Sequence, residues 1–341
     1  MRKYWMAVLA IVVVGAGAAV GLLTRHRASS GPTAATTSTS AAPVANAPLT
    51  GLPDPSGLSA TRPALTVKIE NTPDALPQWG VESADVVYEE IVNGGITRLA
   101  AVFNSHAPAK IGPVRSVRPT DTQIVFPLGG IFAYSGGAAY AVASISTAPV
   151  KLVDESAAGT AMFRDPTRVA PHNLYAIGPK LFAFGGSPVP PPALFNYRSV
   201  TSSPSTKGQL KVDSFVVPFP SIYPVTWTWN ATTTSWDRTL FGQPDVTGTG
   251  VRESPKNVVV MFVNYVNGIG TMASYANLQG SGTADVFTNG HEIAGTWSRG
   301  PSKSDVVTYR DAKGQPILMT PGQTWVELLN VGAPLSVTTT K

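Results

Sequence analysis

Leu65, Val67 and Ile69 alternate with Thr66, Lys68 and Glu70, the period of two that predicts a strand buried on one face. Two further apolar-rich runs, 84–92 and 96–103, flank Asn93-Gly94-Gly95. Those three residues tolerate positive φ and predict a hairpin. Thr120-Asp121 is placed to cap a short helix reaching about Val125, residues 131–134 form a buried strand, and the alanine-rich run 138–145 predicts a second helix. Prolines at 188, 190, 191 and 192, followed by the loop chemistry of 201–208, mark a seam with its boundary over 198–212. Beyond it Val225, Trp227 and Trp229 share one face, and 236–241 predicts the returning strand. The continuous apolar run 257–266 suits a central strand. Asn289-Gly290 marks a two-residue hairpin, Asp311 to Gly314 a turn, and 324–329 a late strand. The expected fold class is therefore α+β with two domains. A mixed α/β N-terminal domain would occupy 49–200 and a mainly antiparallel β domain 212–341.

Ahead of the body, residues 4–23 carry no charge, long enough as a helix for the roughly 30 Å core of a bilayer. Met1-Arg2-Lys3 ahead of that run favours a cytoplasmic amino terminus, although Arg25 and Arg27 behind it dilute the signal, and 1–27 predicts a signal anchor, a transmembrane helix with the body on the extracytoplasmic side. The small residues 15–19 leave cleavage, and hence secretion, open. Residues 28–48 hold no charge and no large aromatic, which predicts a disordered linker holding the body off the membrane. The formal net charge of +5 loses most of its meaning once 1–27 is set apart, because residues 28–341 carry 21 basic and 20 acidic side chains. Such a balance lacks the footprint of a nucleic-acid partner. Gly 32 and Pro 30 among 341 residues disfavour long helices, and the absence of cysteine removes disulfides, thiolate chemistry and a lipid-modified cysteine.

Candidate chemistry gathers in the first half. Arg115 and Arg118 stand three apart in a segment that Gly112, Pro113 and Pro119 keep from being a regular helix. Ser116 lies between them, Arg98 follows the predicted hairpin, and Arg164, Arg168, His172 and Asn173 come later. Arginines on loops suit bidentate capture of carboxylate or phosphate. Two readings stand side by side. One is an anion-binding cleft of Arg98, Arg115, Arg118, Arg164 and Arg168, with Ser116, His172 and Asn173 orienting the ligand. The other is a structural ion-pair network of the same arginines with Glu89, Glu90 and Asp165. If the cleft is catalytic, Glu89 is the general base and His172 the acid, in a hydrolase or transferase acting on an envelope glycan or phosphodiester. A non-catalytic envelope scaffold is the third alternative. Histidines at 26, 106, 172 and 291 have no metal-ligand spacing, and no phosphate-cradling or dinucleotide motif occurs, so no metal and no cofactor are assigned. Ser135-Gly136-Gly137 fits a tight turn better than a nucleophile, and the tryptophans at 227, 229, 236, 297 and 325 fit cross-strand core pairs better than a sugar platform.

Several strings together resemble the YerB family. They are Gly51-Leu-Pro, Arg62-Pro63, Ala84-Asp85-Val-Val-Tyr88-Glu89, Gly94-Gly95-Ile-Thr97-Arg98, Ile111-Gly112-Pro113-Val-Arg115-Ser116-Val-Arg118-Pro119, Gly136-Gly137, Arg168, Ala170-Pro171-His172-Asn173-Leu174-Tyr175 and Pro321-Gly322-Gln323-Thr324-Trp325. The resemblance covers about 49–335. It implies a bacterial envelope protein with N- and C-terminal domains of unknown function, normally tethered through a lipobox cysteine that this chain lacks. Tyr134 stands where relatives often have a histidine, and Asn93 where they have an acid, so neither position is given an acid–base role here. The resemblance names no substrate. An anionic envelope component is the expected ligand, and the oligomeric state stays open.

Overall fold

The strand Leu65–Asn71 is buried at all seven positions, so both of its faces are covered and the face that carries Lys68 and Glu70 meets other elements rather than solvent. The computed structural model describes residues 44–185, 189–220 and 224–339. The apolar run 4–23 and most of the predicted linker lie outside these residues. Among the described residues no helix is long and apolar enough to cross a membrane.

One large sheet organises the body. Leu65–Asn71 pairs antiparallel with Thr97–Phe103, which pairs antiparallel with Val86–Ile91. On its other side Leu65–Asn71 runs parallel to Ile131–Tyr134, which runs parallel to Lys151–Asp154 through the crossover helix Ala139–Ile145. Past Val86–Ile91 the sheet continues directly into the C-terminal half. The late strand Thr324–Asn330 lies parallel to Val86–Ile91 on one side and to Asn257–Val266 on the other. Gly280–Thr288 and His291–Arg299 follow, joined by Asn289 and Gly290, whose φ of 51° and 72° make the primed hairpin turn that the sequence predicts.

Leu210–Val217, Val225–Asn230 and Ser235–Leu240 extend this path and fold back over the sheet. Trp227 thereby meets Trp325 edge-on at 5.3 Å, Phe215 stacks on Phe287 at 3.6 Å, and Arg238 reaches Glu89. The opposite face is covered by the helix Pro119–Leu128, whose Asp121 packs against Lys68.

The expected α+β arrangement of a mixed half beside a β half is thus corrected. The protein is mostly β, with three short α-helices among the described residues and a single sheet running through both halves. The pattern misleads because short helices in the first half look like a βα domain. What decides the fold is the non-local pairing of Thr324–Asn330, and no local period encodes it.

Candidate functional site

The parallel strands Leu65–Asn71, Ile131–Tyr134 and Lys151–Asp154 end on the same edge of the sheet, where α/β sheets commonly bind ligands. The segment around Val114 runs along the last residues of Leu65–Asn71. Glu70 N–H donates to the Pro113 carbonyl at 2.9 Å and Arg115 N–H to that of Lys68 at 2.9 Å. Gly112 permits this path, because a Cβ there would lie 2.8 Å from Val114 N and 2.9 Å from the Leu174 oxygen.

This crossing brings three arginines together. Arg98 sits in register beside both Glu70 and Glu90 and donates Nη1 to the Ser116 carbonyl at 2.9 Å. Arg118 donates Nη2 to Asn93 Oδ1 at 2.7 Å and Nη1 to the Val117 carbonyl at 2.9 Å. Arg115 places Nη2 3.3 Å from Glu70 Oε1 and donates Nη1 to the Pro171 carbonyl at 3.4 Å. Arg98 is only 7% exposed; burial first, then repulsion from Arg118 and Arg115, lowers its pKa to about 10. The Nε atoms of all three arginines are buried without a hydrogen-bond partner. Of the nearby acids, Glu70 pairs with Arg115, while Glu90 and Asp121 both bind the fully buried Lys68.

Glu70 organises the other side of the cluster. Its Oε2 lies 2.9 Å from His172 Nδ1, and its Oε1 accepts from Thr72 Oγ1 at 3.1 Å. His172 is half-buried, and its Nε2 is 4.0 Å from the exposed Asp74 carboxylate. Asn173 orients Arg164 through Oδ1 at 2.8 Å, while Arg164 also binds Glu155 at 2.6 Å. Arg168 instead ties down the 74–77 loop. It donates to the carbonyls of Asp74, Leu76 and Pro77 and to Tyr175 Oη, which leaves little for a ligand. Asp165 pairs with Lys110 at 2.7 Å rather than with an arginine.

Glu89 is not part of this cluster. Strand alternation turns it to the opposite face from Glu90, where it is fully buried and accepts from Asn71 at 2.9 Å, Thr97 at 2.7 Å and Arg238 at 2.6 Å. It therefore cannot act beside His172, and the carboxylate that stands there is Glu70. Sequence reasoning missed Glu70 because it reads as the polar face of an ordinary strand, and missed Arg238 because 149 residues separate it from Glu89. Among the described residues no cluster of His, Asp and Glu is arranged to hold a metal.

Comparison with known proteins places this cluster in a defined region. Residues 49–185 match the family model described as "Protein of unknown function (DUF3048) N-terminal domain", and residues 215–326 match its C-terminal counterpart. Every arginine of the cluster, Glu70 and His172 fall in the first match. The "Putative lipoprotein YerB" of Bacillus subtilis strain 168 is 33% identical over 130 residues, which is 38% of this chain; the chain thus spans 39% of that relative's length. The crystal structure of the Bacillus subtilis YerB protein superposes with a TM-score of 0.73 at 20% identity, over 86% of this chain and 99% of that one. At that identity the likeness speaks for the fold.

Proposed function

Because the chain belongs to the family built from the N- and C-terminal DUF3048 domains, which carries no assigned activity, we propose its function from the site itself: it binds an anionic component of the cell envelope through Arg98, Arg115 and Arg118. The observation that carries this reading is the convergence of three guanidinium groups at the carboxyl end of parallel strands, where Arg115 shares Glu70 and Arg98 and Arg118 are held by neutral acceptors. Crowded guanidinium groups repel one another, and a phosphate or carboxylate would accept from several of them at once. Glu70 and His172 border the cluster and would orient the bound group. An envelope setting is supported by the lipoprotein name of the relative and by the uncharged run 4–23, which would anchor a chain that has no cysteine.

The test is calorimetric titration of the full chain with poly(glycerol phosphate) at low and moderate salt. Binding should weaken as salt rises, and Arg118→Gln should lose about tenfold or more in affinity, as expected for one charge-assisted bond. Equal affinity of wild type and variant would remove the cluster from consideration. A second reading, hydrolysis of a phosphodiester or glycosidic bond, is favoured by one observation. The His172–Glu70 pair at 2.9 Å supplies the carboxylate-oriented imidazole that the Glu89 assignment lacked.

A further inference from the structure

Tyr140, Val169, Ile269 and Met272 are large apolar side chains left open to solvent, Val169 and Met272 at 81% and 69% exposure. Single exposed apolar residues are ordinary, but these four share one end of the molecule. Leu65–Asn71, Val86–Ile91, Ile131–Tyr134 and Asn257–Val266 all run in the same direction through the sheet, so the loops that follow them gather at the edge that carries the arginine cluster. Hydrogen bonds tie those loops to the arginines. Gly94 N–H, next to the Asn93 that takes Arg118, donates to the Gly270 carbonyl at 2.8 Å, which seats the loop of Ile269 and Met272 beside Arg118. Tyr140 Oη donates to the Met272 carbonyl, and the Gly136 carbonyl shortly before Tyr140 accepts from Val117 N–H at 3.1 Å. On the other side, the Pro171 carbonyl that holds Arg115 lies two residues beyond Val169. A cationic centre is thus ringed by apolar tips.

Separated tips do not form the continuous apolar core of a protein–protein interface, whereas tips around cations match a bilayer surface, where phosphates lie just above hydrocarbon. Of the acids at this edge, Glu70 and Glu155 are paired with Arg115 and Arg164, and Asp74 stands exposed beside His172. We propose that this edge docks on an anionic phospholipid bilayer, the three arginines taking headgroup phosphates of phosphatidylglycerol type while the four apolar tips enter the interface. Such docking rests on the arginine cluster as an anion site, and it names the carrier of the anion. Reach permits it. The chain enters the body at the opposite edge, where Gly322 N–H donates to the Thr50 carbonyl at 2.8 Å just ahead of Thr324–Asn330. Residues 24–43, which follow the uncharged run, can extend to about 70 Å. That is about twice the length of the ten-residue strand Asn257–Val266, roughly 33 Å.

Because the chain has no cysteine, Met272→Cys places one environment-sensitive fluorophore at this edge, and Leu58→Cys, ahead of Leu65 at the opposite edge, places a control. Each labelled full chain is reconstituted in phosphatidylcholine vesicles with or without phosphatidylglycerol, all carrying a nitroxide-labelled phospholipid as quencher. The Met272 probe should shift to the blue and be quenched in the anionic vesicles alone, and the Leu58 probe in neither. Arg118→Gln in the Met272-labelled chain should lower the ratio of docked to free probe about fivefold, as expected for one cation at an anionic surface. Equal quenching in neutral vesicles, the same response from both probes, or a Met272 probe that stays in water would each overturn the proposal. The outcomes also separate it from the anion site beneath it. If the Met272 probe stays in water while soluble poly(glycerol phosphate) still binds, the anion site stands and the bilayer is excluded as its partner; if neither binds, both fall.

Discussion

At the scale of single residues, the cost of burying charge decides what each group does. Lys68 is fully buried between Glu90 and Asp121, and Asp121 also accepts the Arg118 N–H at 2.6 Å where the helix begins. Burial, only partly offset by Lys68 and reinforced by Glu90, pushes the Asp121 pKa up to about 6, above its unfolded value. Between those two values the folded state holds a proton that the unfolded state has released. The Asp121 contribution is therefore most favourable at low pH and is lost as pH rises through about 6. Asp121→Asn keeps the shape and the helix-start acceptor but cannot titrate. In urea unfolding at pH 4.5 and 6.5, the stability of wild type relative to Asp121→Asn should improve on going to the lower pH. A difference that is flat or moves the other way removes Asp121 as a titrating buried group.

At the scale of elements, strand parity sends two adjacent acids to opposite faces of the sheet, each into its own buried ion pair. Glu90 faces the helix Pro119–Leu128 and joins Lys68, while Glu89 faces the folded-back strand Ser235–Leu240 and joins Arg238. Arg238 also binds Asp245 and lies 4.6 Å over the Trp325 ring, so it fixes that strand to the sheet by charge and by aromatic contact. Burial and the neighbouring Glu89 push the Glu327 carboxyl well up. Arg238→Met would strand two carboxylates in that interior and should lower unfolding free energy by about 3–5 kcal/mol. Adding Glu89→Gln should recover part of the loss, and urea midpoints of the single and double variants check both statements. A loss below about 1 kcal/mol would mean that water enters. The same elements mark how far the sequence was legible. The Asn289-Gly290 hairpin, the apolar central strand Asn257–Val266 and the helix Ala139–Ile145 follow from local periods and turn residues. The arginine strings were visible as loop charges. Their convergence was not, since it depends on the Val114 segment crossing the end of Leu65–Asn71, and neither was the choice of Glu70 over Glu89, which hangs on which face of a strand each residue takes.

At the scale of the molecule, the strand Thr324–Asn330 makes the two family regions one cooperative object. It is buried along nearly its whole length between Val86–Ile91 and Asn257–Val266, so removing it opens two apolar sheet edges at once. The Glu89–Arg238 pair and the Trp227–Trp325 contact cross the same seam, and each would leave unpaired charge or exposed ring surface if the halves parted. Such coupling should give a single unfolding transition by both far-ultraviolet circular dichroism and tryptophan fluorescence, with coincident midpoints. Cleavage engineered into the exposed 201–207 loop should leave both pieces eluting together, because the sheet and not the linker holds them. Produced alone, the piece ending at residue 205 should lack slowly exchanging amides in Val86–Ile91, now an edge strand. It should also fail to bind poly(glycerol phosphate), since Arg98 is set by a strand paired to Val86–Ile91. Two separated transitions, or a folded and binding-competent N-terminal piece, would show that the arginine cluster is built by the first region unaided. The anion site would then have to be sought as a property of that region and not of the whole sheet.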